Sequence, residues 1–138
     1  MISRELATEL APLLHWTPRN GDQFFIPRAE IADSVFTLSD MVVELVTQHR
    51  ETRFHFNGTV EWALDSVESD AVVWLPREDQ LRELLGGTFR SLARSTDGQY
   101  GVLIEHSGRP ERLFTADTAA DAYAQALLAL VTAAVGQV

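Results

Sequence analysis

Cysteine and lysine are both missing from this chain of 138 residues, and all eleven basic residues are arginine. Without cysteine there is no disulfide framework, no thiolate nucleophile and no cysteine-based zinc site. Without lysine there is no Schiff-base amine and no P-loop lysine. Positive charge is scarce: twenty Asp and Glu leave a formal net charge of −9. Such a chain repels phosphate backbones and anionic lipid surfaces, so neither nucleic acid nor a membrane is expected as a partner. No basic start precedes a long apolar run, so no signal peptide is expected. The longest weakly polar stretch, Ala119 to Val138, is rich in alanine and begins beside Asp117 and Asp121. It reads as a buried core helix rather than a membrane span, and the expected compartment is cytoplasmic.

What is present suits a globular protein. Hydrophobic residues make up 46% of the chain, enough for a core without metal or disulfide, and the length suits one domain over residues 1–138. Ser3 can cap a first helix, with Glu5 near its positive end and Leu6, Leu10, Leu13 and Leu14 on one stripe. Pro12 predicts a kink or restart near Ala11. Phe24–Phe25–Ile26 reads as a strand closed by Pro27. Arg28 to Asp40 reads mostly as loop, pinned to the core by Val35 and Phe36. Met41 to Thr47 alternates with both faces partly apolar, as in a central strand, and His49–Arg50–Glu51 suits a hairpin connection into a second strand through Phe54 and Phe56. Asn57–Gly58 marks a turn. Val60 to Val67 fits a third strand or a short helix, and Ala71 to Leu75 is an apolar run.

The second half is better marked. Pro76 suits the first position of a helix, Glu78 and Asp79 its first turn, Leu81, Leu84 and Leu85 its buried face, and Gly86–Gly87 its stop. A three-strand meander follows. Phe89, Ser91, Ala93 and Ser95 alternate with Arg90, Leu92 and Arg94; Tyr100, Val102 and Ile104 form the next alternation; Arg112 to Phe114 is a short third strand. Asp97–Gly98 and Ser107–Gly108 mark the turns. In the last helix Thr118 as cap and Asp121 at the third position make a capping-box-like pair, and Tyr123, Leu127, Leu130, Val131 and Ala134 form an apolar face. The predicted class is α+β, an antiparallel sheet packed by three helices in the order α-β-β-(β)-α-β-β-β-α.

The stretch FNGTVEWALDSVESDAVVWLPREDQLRELLGG, Phe56 to Gly87, with the opening ISREL and the Ala/Leu-rich final helix, resembles a group of small actinobacterial proteins of about this length. Some of these carry a pilus-assembly label that belongs to ATPase-like proteins. This chain has no G-x-x-x-x-G-K-[ST] motif, and the group supplies no catalytic residues to carry over. In size, acidity and element order the chain is also similar to type III secretion chaperones, which are dimers. That similarity is one of architecture alone.

Chemistry-bearing patterns are sparse. His15, His49, His55 and His106 form no HExxH or HxH motif; His49 and His55 are the pair that a hairpin could bring face to face. No G-x-S-x-G or G-x-G-x-x-G occurs. Glu61, Asp65, Glu68, Asp70, Glu78, Asp79 and Glu83 crowd one segment against Arg77 and Arg82, and Trp62 and Trp74 flank it. A solvated face explains such a cluster, as does a docking face for a basic partner; paired carboxylates can also hold a divalent cation or do acid–base work, though no D-x-D-x-D-G loop is present. The expectation is a non-catalytic protein-binding or chaperone-like domain, paired as a homodimer through its last helix or the Met41–Thr47 strand. It would meet a basic or partly unfolded protein through Glu61, Trp62, Asp65, Glu68 and Trp74, with no cofactor, metal or catalytic residue. The alternatives are a small hydrolase or isomerase using Glu44 or Asp65 with His55, and an immunity-type protein that binds a basic toxin.

Overall fold

The computed structural model describes residues 1–38, 43–48, 51–56, 66–68 and 72–135, and over 43–48, 51–56 and 66–68 the description is of the backbone. In chain order the elements are α1 (Arg4–Leu10), β1 (Gln23–Phe25), β2 (Phe36–Thr37), β3 (Val43–Gln48), β4 (Glu51–Phe56), β5 (Ser66–Glu68), β6 (Val73–Leu75), α2 (Glu78–Leu85), β7 (Phe89–Arg94), β8 (Tyr100–Ile104), β9 (Arg112–Ala116) and α3 (Ala119–Val135). The class is α+β, and the element order follows the sequence pattern. The strands divide among three antiparallel sheets of three, ordered β2-β1-β6, β3-β4-β5 and β7-β8-β9. The chain groups into two compact units, Met1–His15 with Pro76–Val138, and Trp16–Leu75. No helix among the described residues is long and apolar enough to cross a membrane.

In the first unit, Ser3 caps α1 as expected, its Oγ accepting from the Leu6 N–H at 3.3 Å. Pro12 ends the α-helix at Leu10 and leaves a 3₁₀ turn over Ala11–Leu13, because proline supplies no N–H for the α ladder. The buried face is Ile2, Ala7 and Leu10; Leu6, Leu13 and Leu14 are only half-buried, so the leucine stripe lies to one side of the true core face. Helix α2 starts at Glu78, two residues later than a first-position Pro76 predicts. Arg77 is the cap, and its N–H donates to Gln80 Oε1 at 2.9 Å. Leu81 and Leu85 are buried one turn apart, whereas Leu84 is 44% exposed. Gly86 ends α2 with φ of 56°, but its ψ of −135° lies outside the left-handed helical cap expected of a glycine stop, in a region that glycine alone enters readily.

The β7-β8-β9 meander pairs Val102 with Leu92 and Phe114, and Tyr100 with Arg94 and Ala116. The simple alternation expected for β7 fails at its start. The pairing runs Phe89↔Ile104 and then Ser91↔Leu103, so Arg90 is the extra residue of a bulge. That places Phe89 on the same side as Leu92, and its ring meets Tyr123 at 5.7 Å between centroids. Val102 and Ile104 are fully buried, as their alternation predicts. Helix α3 packs on β8, β9, α1 and α2. Its cap is half of the expected box: the Asp121 N–H donates to Thr118 Oγ1 at 3.1 Å, but the Asp121 carboxylate accepts the Ser3 N–H at 2.7 Å, tying the starts of α1 and α3 together.

In the second unit, residues 28–40 are not all loop. Phe36 and Thr37 pair with Phe24 and Gln23 as an edge strand. Phe36 is half-buried against the core, whereas Val35 is exposed. Strand β3 lies at the edge of its sheet and β4 at the centre, reversing the expectation for Met41–Thr47. The reason lies in the connections: β4 is paired on one side by β3 and on the other by β5. Of the ambiguous Val60 to Val67, Ser66 and Val67 are in a strand, and the rest lie outside the described residues, as do Met41, His49 and Asn57–Gly58.

Two measurements test this description. Burial pushes the Tyr123 phenol above its ordinary value of 10.0, with the Arg82 charge opposing and Glu78 assisting. The folded state therefore holds this proton more tightly than the unfolded chain, so stability falls once pH rises past the ordinary tyrosine value. Urea melts of wild type and Tyr123→Phe should diverge above pH ~10, with the wild type losing stability faster. At the β7–β8 turn, Gly98 has φ of 86°, where a Cβ is strained. Gly98→Ala should cost about 1 kcal/mol, read as a lower urea midpoint with unchanged slope.

Candidate functional site

Helix α3 changes character along its length. Ala119, Ala120, Ala122, Tyr123, Ala124, Ala126 and Leu127 are all buried. From Leu128 to Val135 no residue is buried: Leu128 to Val131 and Ala133 are intermediate, and Thr132, Ala134 and Val135 are exposed. Leu130, Val131 and Ala134 were expected in the core and are not there. A helix of 17 residues is about 25 Å long, and a strand of five about 17 Å. The helix is therefore longer than the strands it packs on. Its alanines let the first half sit close to the sheet, and the second half is left incompletely covered.

Two depressions flank that second half. The first is lined by Ile104, His106, Arg109, Pro110, Arg112, Ala129, Leu130, Ala133 and Ala134, with room for ≈ 90 Å³. The second is a shallow groove between β9 and α3, lined by Arg112, Phe114, Gln125, Leu128, Ala129, Thr132 and Ala133. They share Arg112, Ala129 and Ala133. The α3 residues of the second groove are spaced i, i+3, i+4, i+7 and i+8, one stripe of small and aliphatic side chains. Strand β9 is an edge, and on it Leu113 is 63% exposed. The Arg112 guanidinium lies 4.8 Å from the centroid of the Phe114 ring, which holds it over the strand. Among the described residues neither depression has a carboxylate in its lining.

The residues singled out in the sequence lie elsewhere. Glu61, Trp62 and Asp65 fall outside the described residues. Glu68 is in β5, its Cα opposite Arg53 of β4. Trp74, on the edge strand β6, is half-buried and stacked on Trp16, with ring centroids 5.9 Å apart and planes 4° from parallel. Its buried Nε1 has no hydrogen-bond partner among the described residues. The acidic run itself divides at Leu75 and Pro76: Glu68 belongs to one unit, and the exposed Glu78, Asp79 and Glu83 of α2 belong to the other. Of the histidines, His55 of β4 lies in register between Glu44 of β3 and Ser66 of β5, so three polar residues form one row across that sheet. His106 lines the first depression, and His15 is exposed. No group of three potential metal ligands occurs among the described residues.

The firmest polar feature is structural. Asp22 is the one buried charged residue among those described, at 3% exposure. Its Oδ2 accepts from Trp16 Nε1 at 2.9 Å and from the Arg19 N–H at 3.0 Å. That fixes the indole of Trp16 between Trp74 and Phe24. The sequence signals this role only by the position of Asp22 six residues after a tryptophan.

No family model, curated protein or solved structure matches the chain. Its function has to come from its own geometry.

Removing the Asp22 carboxylate leaves a partly buried indole N–H without that acceptor. Asp22→Ala should cost about 2–3 kcal/mol in urea unfolding, with altered tryptophan emission from the folded state. A loss under 0.5 kcal/mol would mean that water replaces the carboxylate freely.

Proposed function

We propose that the protein is a non-catalytic protein-binding domain whose contact surface is the C-terminal half of α3 with the adjoining strand β9. The observation that carries this reading is the change of burial along one apolar helix. Its first half is buried by its own unit; its second half, with Leu128, Leu130 and Val131, is left half-covered. Contiguous uncovered apolar surface of this kind is costly to leave in water and marks interaction sites. Covering it yields about 25 cal/mol for each Å² removed from solvent. The rim supplies what a specific interface needs beyond area, namely arginines and an aromatic ring, in Arg109, Arg112 and Phe114.

Thr132 is exposed on the stripe, so a charge placed there disturbs a partner and not the fold. The immobilised wild type should retain a stoichiometric protein from the cells that produce it, and Thr132→Glu, folded by circular dichroism, should lose it by at least about tenfold. Equal retention by both forms, or none by either, removes the proposal.

A second reading is favoured by the register of the β3-β4-β5 sheet. A carboxylate, an imidazole and a hydroxyl, from Glu44, His55 and Ser66, share one row. These residue types at neighbouring register positions suit acid–base or nucleophilic chemistry, the small-enzyme alternative. Hydrolysis of an activated ester that is lost on His55→Ala would select this reading over the first.

A further inference from the structure

Sequence alone points to a basic partner, because the chain carries −9 overall. The grooves beside α3 reverse that sign locally. Arg109 and Arg112 stand at the first, with His106 beside them, and among the described residues no carboxylate contributes to its lining. The nearest acidic neighbours in sequence do not neutralise them. Glu105 accepts from Arg90 Nε at 3.2 Å, and Glu111 is exposed and outside both linings. Arg112 is positioned by the Phe114 ring and stands where the two depressions meet.

We infer that this surface seats an acidic amphipathic helix of another protein. The inference deepens the protein-binding reading above and rests on it. Three features select the occupant. The α3 stripe of Gln125, Leu128, Ala129, Thr132 and Ala133 has helical spacing, and its three small members, Ala129, Thr132 and Ala133, allow a second helix to approach alongside. The first depression, at ≈ 90 Å³, holds a single aliphatic anchor and is small beside the roughly 300–1,000 Å³ of drug-sized ligand sites. The two guanidiniums match carboxylates flanking such an anchor, and arginine suits carboxylates through its forked donors. A second copy of this chain packed symmetrically would put the same two arginines into the interface twice, and the described linings offer no carboxylate to match them.

The probe is a fluorescein-labelled peptide helix of about four turns, with leucines along one face and glutamates on both flanks. Its counterpart carries lysine at every glutamate. The acidic peptide should saturate the full chain, bind more weakly as salt rises, and lose about tenfold in affinity to the folded R109E/R112E double variant. Arg28→Glu, in the other unit, should leave binding unchanged. Equal or tighter binding of the lysine peptide, no saturation, or an unaffected double variant overturns the inference. So does a dimer in sedimentation equilibrium that R112E dissociates, since the groove would then belong to a second copy. If the cellular partner lost by Thr132→Glu proves to engage through a basic segment, protein binding stands and the acidic-helix inference fails.

Discussion

The arrangement of the first unit depends on how closely α3 can approach the β7-β8-β9 sheet. Five alanines, at 119, 120, 122, 124 and 126, are buried in its first half, and they keep that half of the helix slim. Only two large side chains there reach full burial, Tyr123 and Leu127. Small residues at a contact bring backbones together, and close approach maximises dispersion contacts for each residue. The same constraint creates the surface beyond it. The helix runs on in the same apolar composition after the short strands have nothing left to cover it with. The uncovered half and the buried half are thus consequences of one packing geometry.

The second unit solves a different problem. Its small sheet β2-β1-β6 buries Phe24, Ile26, Leu38 and Val72, and the rings of Trp74, Trp16, Phe24 and Phe36 form a continuous run over it. Aromatic side chains give a short strand system a large buried area, but an indole brings an N–H that needs an acceptor. Asp22 supplies one for Trp16, and through its own main-chain carbonyl it also accepts from Leu38 at 2.8 Å. One residue thereby ties the Trp16 ring and the entry to β1 to the far side of the 23–38 excursion. The polar anchor costs desolvation and returns a fixed ring orientation.

Legibility varied with the range of the interactions involved. The α2 stop at Gly86, the turns at Gly98 and Gly108, the Ser3 cap and the break at Pro12 are fixed by one or two residues and their φ preferences. Those were readable. The β7 bulge was not, because the extra residue is defined by pairing with Ile104 and Leu103, a dozen or more positions away. The Asp121 carboxylate was assigned to its own helix and instead accepts from Ser3, 118 residues distant in sequence. The candidate surface was missed for a related reason. Its helical stripe was present in the sequence, but Arg109 and Arg112 join it only because the meander returns β9 alongside α3. The acidic segment drew the eye because it is contiguous, yet it divides between the two units.

By itself the amino-acid order determined the class, the three helices, the β7-β8-β9 meander with its turns at Gly98 and Gly108, and the exclusion of cysteine and lysine chemistry. Each of these follows from local preference or from composition, which need no knowledge of what lies across the fold. Tertiary structure alone decided which half of the apolar final helix is covered, which strand is an edge, and where positive charge gathers on an acidic chain. Those depend on distances between residues far apart along the backbone, and such distances are set only when the packing of the whole unit is set.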